Sequence, residues 1–502
     1  MSAGRQSGAR RVLVAQAYFL CFDSKVSEAG QPMPPLGSLV CAAVLRERGF
    51  DVRFFDSMLA ASEEECAVAM DKEKPEVLVL FEDSFNYLTK MCLGRMRQAA
   101  TRMIAMARER GISVIVAGSD ASDDPRSYLD AGARAVAVGE GELAVAEWLR
   151  APGSAGAIPG IVSLGEGGGL EAGPARIPVR DADSLPSPAW DLIDVDAYRR
   201  VWRRRHRTLS LPLATSRGCP FHCNWCAKPI WGQRYAALSP ARAAREVESL
   251  KRLGAEHVNI VDDIFGLRPG WMEGFADELE RLDAVLPFRC LSRADLLTDR
   301  MVAALARAGC RRVWIGAESG SQRILDAMEK GTTVGEIRAA ADRLKSAGIE
   351  VCFFLQFGYP GETEADVAST WELVETVLPD DIGISVSYPL QGTRFFDRVK
   401  DEMQRATHWY DSNDLAMLFR GQHATPYYRT LHAYTHARFR LARALGERQG
   451  NPPTRLLQAL RYGTKRAAMA VALWVASRDR LQVRPLPPEL SREHAATPGP
   501  VL

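Results

Sequence analysis

Long apolar runs are missing from this sequence. The first candidate, Val12 to Leu20, is broken by Gln16 and followed by no small-residue cleavage site, so neither a signal peptide nor a transmembrane span is expected. Net charge is nearly absent as well. Sixty-four Lys and Arg against 62 Asp and Glu leave +2, so no global basic field points to nucleic acid. Cysteine is scarce: ten in 502 residues are too few for a disulfide scaffold. Seven stand singly (Cys21, Cys41, Cys66, Cys92, Cys290, Cys310 and Cys352), several in apolar runs, as small buried hydrophobes do. The compartment to expect is a reducing cytoplasm. What is present, 47% hydrophobic and 25% charged residues, excludes a wholly disordered chain, a collagen and a polytopic membrane protein. The length suits two to four domains of roughly 100–200 residues.

Residues 1–150 alternate β-rich runs with helical patterns. The runs are Arg11–Ala15, Asp51–Asp56, Glu76–Phe81, Ser113–Gly118 and Ala135–Gly139. Helices are expected near Leu36–Arg48, Glu63–Lys72, Met91–Arg110 and Glu142–Arg150. That alternation predicts βαβ units in a doubly wound parallel sheet of flavodoxin-like order 2-1-3-4-5, whose ligand sits beyond the carboxyl ends of the strands. Residues 151–207 read as a Gly-rich linker with one hairpin, then a Pro-biased extended bridge near Leu185–Trp190. A second α/β stretch, 208–394, holds six strand–helix units that fit a partial (β/α)6 barrel. Residues 395–480 turn helical and basic, and 481–502 form a Pro-rich tail expected to be disordered.

The remaining three cysteines lie together in Thr215-Ser-Arg-Gly-Cys-Pro-Phe-His-Cys-Asn-Trp-Cys226, directly after the first strand of the second stretch. Clustered Cys in a chain without an export signal points to a metal. Zinc sites take four ligands from two separated pairs. No second pair follows Cys219, Cys223 and Cys226, and His222 lies between two of them, where its reach is poor. A four-iron cluster held by three thiolates keeps one iron open to a substrate.

This loop resembles the cluster loop of the radical S-adenosylmethionine (SAM) superfamily. The resemblance implies a [4Fe-4S] cluster whose open iron chelates SAM and yields a 5′-deoxyadenosyl radical. Gly316-Ala-Glu-Ser-Gly320 closes the fourth barrel strand and is similar to the family's SAM-binding stretch, so Glu318 and Ser319 are implied to meet the methionyl and ribose groups. Phe357-Gly-Tyr-Pro-Gly-Glu362 closes the fifth and resembles the turn beside the adenine, which brings in Gly358 and Glu362. Trp225 is placed to pack on adenine. Asp262 and Asp263, ending the second strand, would bind polar substrate groups or cap the next helix.

The first domain shows no G-x-G-x-x-G after strand 1, so NAD and FAD are not expected. Pro34–Leu39, Gly118-Ser-Asp-Ala-Ser122 and Val138-Gly-Glu-Gly-Glu142 resemble the cobalamin-binding domain of cobalamin-dependent radical SAM enzymes. The likeness spans roughly residues 11–390 and implies cobalamin contacts at Gly118, Ser119, Ser122, Gly139 and Glu140. The chain departs from other cobalamin proteins in one respect. No histidine lies between Asp56 and Gly111, so no Asp-x-His-x-x-Gly motif supplies one to cobalt. Glu82-Asp-Ser-Phe-Asn-Tyr87 lies at the ligand edge.

The resemblance implies an enzyme that passes a methyl group from SAM by way of cobalamin to an unactivated carbon of a small-molecule substrate. A small donor such as flavodoxin or ferredoxin would supply its electrons. Two alternatives stay open: a non-methylating cyclase or oxidase like the anaerobic magnesium-protoporphyrin ester cyclase, and a non-catalytic cobalamin or redox sensor. Trp409–Leu415 and Phe419–His423 would cover the barrel mouth. The run Arg455–Ser477, with Arg455, Arg461, Lys465 and Arg466 beside an apolar stretch, would lie on a membrane surface or dock on the barrel with a solvated basic face. The basic run Arg203–Arg207 reads as a solvated face, not a nucleic-acid site.

Overall fold

A computed structural model describes residues 9–85, 94–226, 228, 230–403, 415–446 and 452–477. The chain forms two compact units, one of residues 1–221, 227–314 and 347–349, the other of residues 222–226, 315–346 and 350–502.

The first unit opens with β1 (Arg11–Ala15), β2 (Asp51–Phe55), β3 (Val77–Phe81), β4 (Ser113–Ala117) and β5 (Ala135–Ala137), all parallel, in the order β2-β1-β3-β4-β5. Alternate residues of each strand enter two separate cores. Leu13 and Ala15 pack with Cys66, Met70, Met103 and Ile104 from α2 (Glu64–Glu73) and α3 (Gly94–Glu109). Val12 and Val14 pack with Val44, Leu45 and Trp148 from α1 (Leu36–Glu47) and α4 (Glu142–Arg150). Strands buried on both faces read as continuous apolar runs, which is why the sequence shows them.

The expected linker is more than a linker. Its hairpin, β6 (Ile161–Leu164) and β7 (Leu170–Ala172), adds antiparallel to β5 and extends the sheet to seven strands. Beyond it, α5 (Val195–Arg205) is fixed to the first domain. The Tyr198 hydroxyl donates to Asp56 at the end of β2 (2.8 Å), and Trp202 Nε1 donates to the Pro32 carbonyl (2.8 Å). The basic run at its end is partly engaged: Arg205 donates to the Glu28 carbonyl, and His206 Nε2 lies 2.8 Å from that of Ala29.

The second sheet has the order β15-β14-β13-β12-β11-β8, with strands Ser210–Leu213 (β8), His257–Ile260 (β11), Phe288–Ser292 (β12), Cys310–Glu318 (β13), Glu350–Phe357 (β14) and Asp381–Val386 (β15). The pairs β8/β11, β11/β12 and β14/β15 are parallel. Helices α6 (Pro240–Arg252), α7 (Trp271–Arg281), α8 (Asp299–Arg307), α9 (Gln322–Ala327), α10 (Val334–Ser346) and α11 (Glu364–Val377) connect these strands, one to each connection except that α9 and α10 both lie between β13 and β14. Local signals start them: Ser239 caps α6 ahead of Pro240, Thr298 caps α8, and Thr363 with Asp366 forms a capping box on α11. The second unit ends with α12 (Thr425–Gly446) and α13 (Pro452–Ala476). Residues 409–414 and the expected tail lie outside the described residues.

Candidate functional site

A small antiparallel pair, β9 (Ser216–Arg217) with β10 (Ala236–Ala237), brackets the cysteine loop. Gly218, just before the first cysteine, has φ +76°, and a Cβ there would lie 2.3 Å from the Arg234 carbonyl oxygen, so the position admits only glycine. All three cysteines are partly exposed. Cys226 N donates to the Cys223 carbonyl (3.3 Å), closing a turn between the last two. Asn224 anchors that turn. Its N–H donates to the Met328 carbonyl (3.1 Å), its Nδ2 to the Ala327 carbonyl (2.8 Å), and its Oδ1 accepts from the Tyr359 hydroxyl (2.9 Å). Two residues after Cys219, the Phe221 ring carries the Arg293 guanidinium 3.7 Å from its centroid. Among the described residues no group of three His, Cys, Asp or Glu side chains is found at metal-holding spacing.

Asp262 plays a part the sequence did not reveal. It is buried and accepts from Thr215 N (2.7 Å), Thr215 Oγ1 (2.5 Å) and Ser216 Oγ (2.7 Å), so it fixes the chain entering the cysteine loop. Burial pushes its pKa up to about 7. This replaces both roles expected of it. Asp263, its neighbour, is exposed.

In the second unit, Glu318 takes φ +57° at the end of β13, a left-handed conformation uncommon for a residue other than glycine. Strain of this kind clusters at functional sites. Its Oε1 accepts from Lys330 Nζ (2.8 Å), and both side chains are buried. The Ser319 hydroxyl lies 3.2 Å from Thr370 Oγ1 and accepts from Ser321 N (3.1 Å). Gly358 has φ +79°, and a Cβ there would meet the Tyr428 ring at 3.0 Å. Glu362 Oε2 accepts from Gly358 N (2.6 Å), while its buried Oε1 has no hydrogen-bond partner among the described residues. Burial raises the Glu362 pKa to about 8. The indole Nε1 of Trp225 is likewise buried without a partner among those residues.

The carboxyl ends of the first sheet carry a second set of polar groups. Gln16, following β1, is fully buried, and neither amide atom has a partner among the described residues. The Ser119 hydroxyl, following β4, is buried in the same way. Gly118 has φ +146°, but the space beside it is filled: a Cβ would lie 2.5 Å from that of Glu82. The Ser122 hydroxyl donates to the Gly118 carbonyl (2.7 Å) and accepts from Gly139 N (3.0 Å), tying two strand ends together. Gly139 (φ +77°) opens on a cavity of about 400 Å³ whose charged lining residues, Arg176, Lys228 and Arg234, are all cations.

Glu140 turns away from solvent to Arg217. Arg217 Nη1 lies 2.5 Å from Glu140 Oε1 and 2.8 Å from Glu142 Oε1, with all three side chains buried. Phe85 lies beside the Arg217 guanidinium (5.4 Å) and packs on Trp231 (5.0 Å). Burial and the adjacent Glu142 push the Glu140 pKa up, and Arg217 opposes them. The carboxyl end of β5 is thereby joined to the strand that leads into Cys219. Two lone carboxylates give no sequence signal for an arginine 77 positions away, and Asn224 reads as a turn residue.

The residues present fit the groups the sequence implies. The donor chemistry, three thiols in one loop with no fourth donor pair, suits a cluster with an open iron, although the thiols are not gathered at metal-holding spacing in this structure. The unpartnered amide of Gln16 and hydroxyl of Ser119, at strand ends where doubly wound sheets bind ligands, suit the polar rim of a large cofactor.

The B12 binding domain model matches residues 25–149 and the Radical SAM superfamily model residues 213–374. An uncharacterised methyltransferase of Pyrococcus horikoshii is 25% identical over 381 residues, which is 73% of this chain and 79% of that one. The anaerobic magnesium-protoporphyrin IX monomethyl ester cyclase of Rubrivivax gelatinosus is 25% identical over 49% of this chain and 44% of its own. The hopanoid C-3 methylase of Methylococcus capsulatus is 27% identical over 72% of this chain and 68% of its own. Among solved structures, the radical SAM methyltransferase TsrM of Kitasatospora setae, with cobalamin and a [4Fe-4S] cluster, aligns with TM-score 0.63 at 20% identity, over 75% of this chain and 72% of that one. The cobalamin-dependent SAM radical enzyme OxsB aligns with TM-score 0.70 at 16% identity, over 93% and 72%. The fold is therefore theirs, and with a B12-binding domain followed by a radical SAM domain the chain belongs to the cobalamin-dependent radical SAM family.

Proposed function

We propose that this chain is a methyltransferase that uses a [4Fe-4S] cluster, SAM and cobalamin to place a methyl group on an unactivated carbon of a small molecule. The observation that carries the reading is the Arg217–Glu140–Glu142 cluster, which links the loop bearing the cluster-type thiols to the B12-binding sheet. When bound, the cluster and SAM supply a carbon radical, and the corrin supplies the methyl relay.

The chain's own part is to bind and orient. Cys219, Cys223 and Cys226 ligate as thiolates. Lys330 fixes the Glu318 carboxylate, and Glu318 with Ser319 would bind the methionyl and ribose groups of SAM. Trp225, Gly358 and Glu362 serve the adenine, where the Trp225 Nε1 and Glu362 Oε1 await partners. Gln16, Gly118, Ser119, Ser122, Gly139 and Glu140 line or shape the corrin edge. A small reduced carrier of the flavodoxin or ferredoxin type supplies electrons, and a reducing cytoplasm suits the thiols.

Anaerobic reconstitution with iron, sulfide, cobalamin and SAM tests this. About four iron and four sulfide per chain are expected, and Cys219→Ala, Cys223→Ala or Cys226→Ala should abolish them. Candidate substrates should release both S-adenosylhomocysteine, which reports methyl loading, and 5′-deoxyadenosine, which reports the radical. Stoichiometric zinc would reject the reading. Deoxyadenosine without S-adenosylhomocysteine would favour the non-methylating chemistry of the cyclase relative.

A further inference from the structure

Helix α13 carries an apolar face that its own fold leaves open. At 100° per residue, Tyr462, Leu473 and Ala476 share one side of the helix. Leu473 and Ala476 pack on the core of the second unit, and the Arg440 guanidinium of α12 lies 5.8 Å from the Tyr462 ring. The opposite side is exposed: Leu457 is 71% accessible, Leu460 60%, Val471 64% and Val475 55%. With Thr464 and Ala467 these side chains fill an arc of about 80°. Exposed Arg461 and Lys465 border that arc on one side. The solvated side of the helix is thus apolar, where a basic one was the alternative expected. A contiguous apolar strip rimmed by charge marks a contact surface, whereas scattered exposed apolar residues mark nothing.

We propose that α13 docks on an anionic lipid surface, lying in the interface plane with Leu457, Leu460, Val471 and Val475 among the acyl chains and Arg461 and Lys465 at the headgroups. The charge of the helix selects this occupant. Its 25 residues contain Arg455, Arg461, Lys465 and Arg466 and no Asp or Glu. A second copy of α13 would set cations against cations along the border, whereas anionic headgroups complement them. No described helix is long and apolar enough to cross a membrane, which fits a helix lying on the surface.

Flotation of the full chain with vesicles tests the proposal, comparing phosphatidylcholine alone with a mixture containing roughly one-third phosphatidylglycerol. The chain should float with the anionic vesicles and not with the neutral ones. Leu460→Glu with Val471→Glu should lower the bound fraction about tenfold, and Arg461→Gln with Lys465→Gln should lower it as ~0.5 M salt does. These positions are exposed, so the variants should keep the parent melting temperature and iron content. Failure to float, or equal flotation of the Glu variant, overturns the proposal. A dimer that forms without vesicles and is lost in that variant would overturn it in favour of pairing between chains.

Discussion

Gly218 shows how one backbone position governs the cysteine loop. Its φ of +76° and the Arg234 carbonyl 2.3 Å from any Cβ leave no room for a side chain. Gly218→Ala should cost about 2–4 kcal/mol, combining a left-handed alanine with an overlap that part of β10 must relieve. Calorimetry should show the lower melting temperature, and iron analysis a loss of cluster, since the next residue is Cys219. An unchanged iron content would mean the loop tolerates a shift of its first strand. The three cysteines were legible because ligand spacing is local. Gly218 reads as an ordinary turn glycine, and only the carbonyl of a residue 16 positions on explains it.

Among the elements, β9 owes its position to charge. Arg217→Met would leave Glu140 and Glu142 buried without a counter-ion, which should destabilise the first unit by about 3–5 kcal/mol. Adding Glu140→Gln and Glu142→Gln should recover much of that loss in chemical denaturation. No recovery would show that the guanidinium acts through Phe85 packing instead. The strands and helices of both sheets were legible because buried parallel strands are continuous apolar runs and the helices start with ordinary caps. The join between β9 and the first sheet was not, since nothing near Arg217 in sequence announces its partners. The hairpin was legible as a hairpin, but its membership of the sheet was hidden among glycines that read as linker. For α13 the composition was legible. Which side it buries depends on Tyr462, Leu473 and Ala476 meeting the rest of the unit.

At the scale of the whole molecule, several buried carboxyls set the pH response. Burial raises Asp56 to about 6, Glu82 and Asp262 to about 7, and Glu362 to about 8. Each binds its proton more tightly folded than unfolded. Its contribution to stability is therefore complete below the unfolded carboxyl range and is lost as the pH rises through these values. The melting temperature of the metal-free chain should fall between about pH 4 and about pH 8 and level off above that, and Glu362→Gln should shrink the fall. A flat profile would show that these groups stay ionised. The hairpin after β5 has a consequence of another kind. Without it, the fully buried β5 would present an open row of amides and carbonyls to any neighbouring chain. The hairpin moves that border to β7, three exposed residues with Glu171 at their centre and glycines on both flanks. At the opposite border, Asp51 and Arg53 of β2 form an ion pair (3.2 Å). Both rims of the sheet are thereby poor templates for intermolecular strand addition, which disfavours growth of this mixed sheet into fibres.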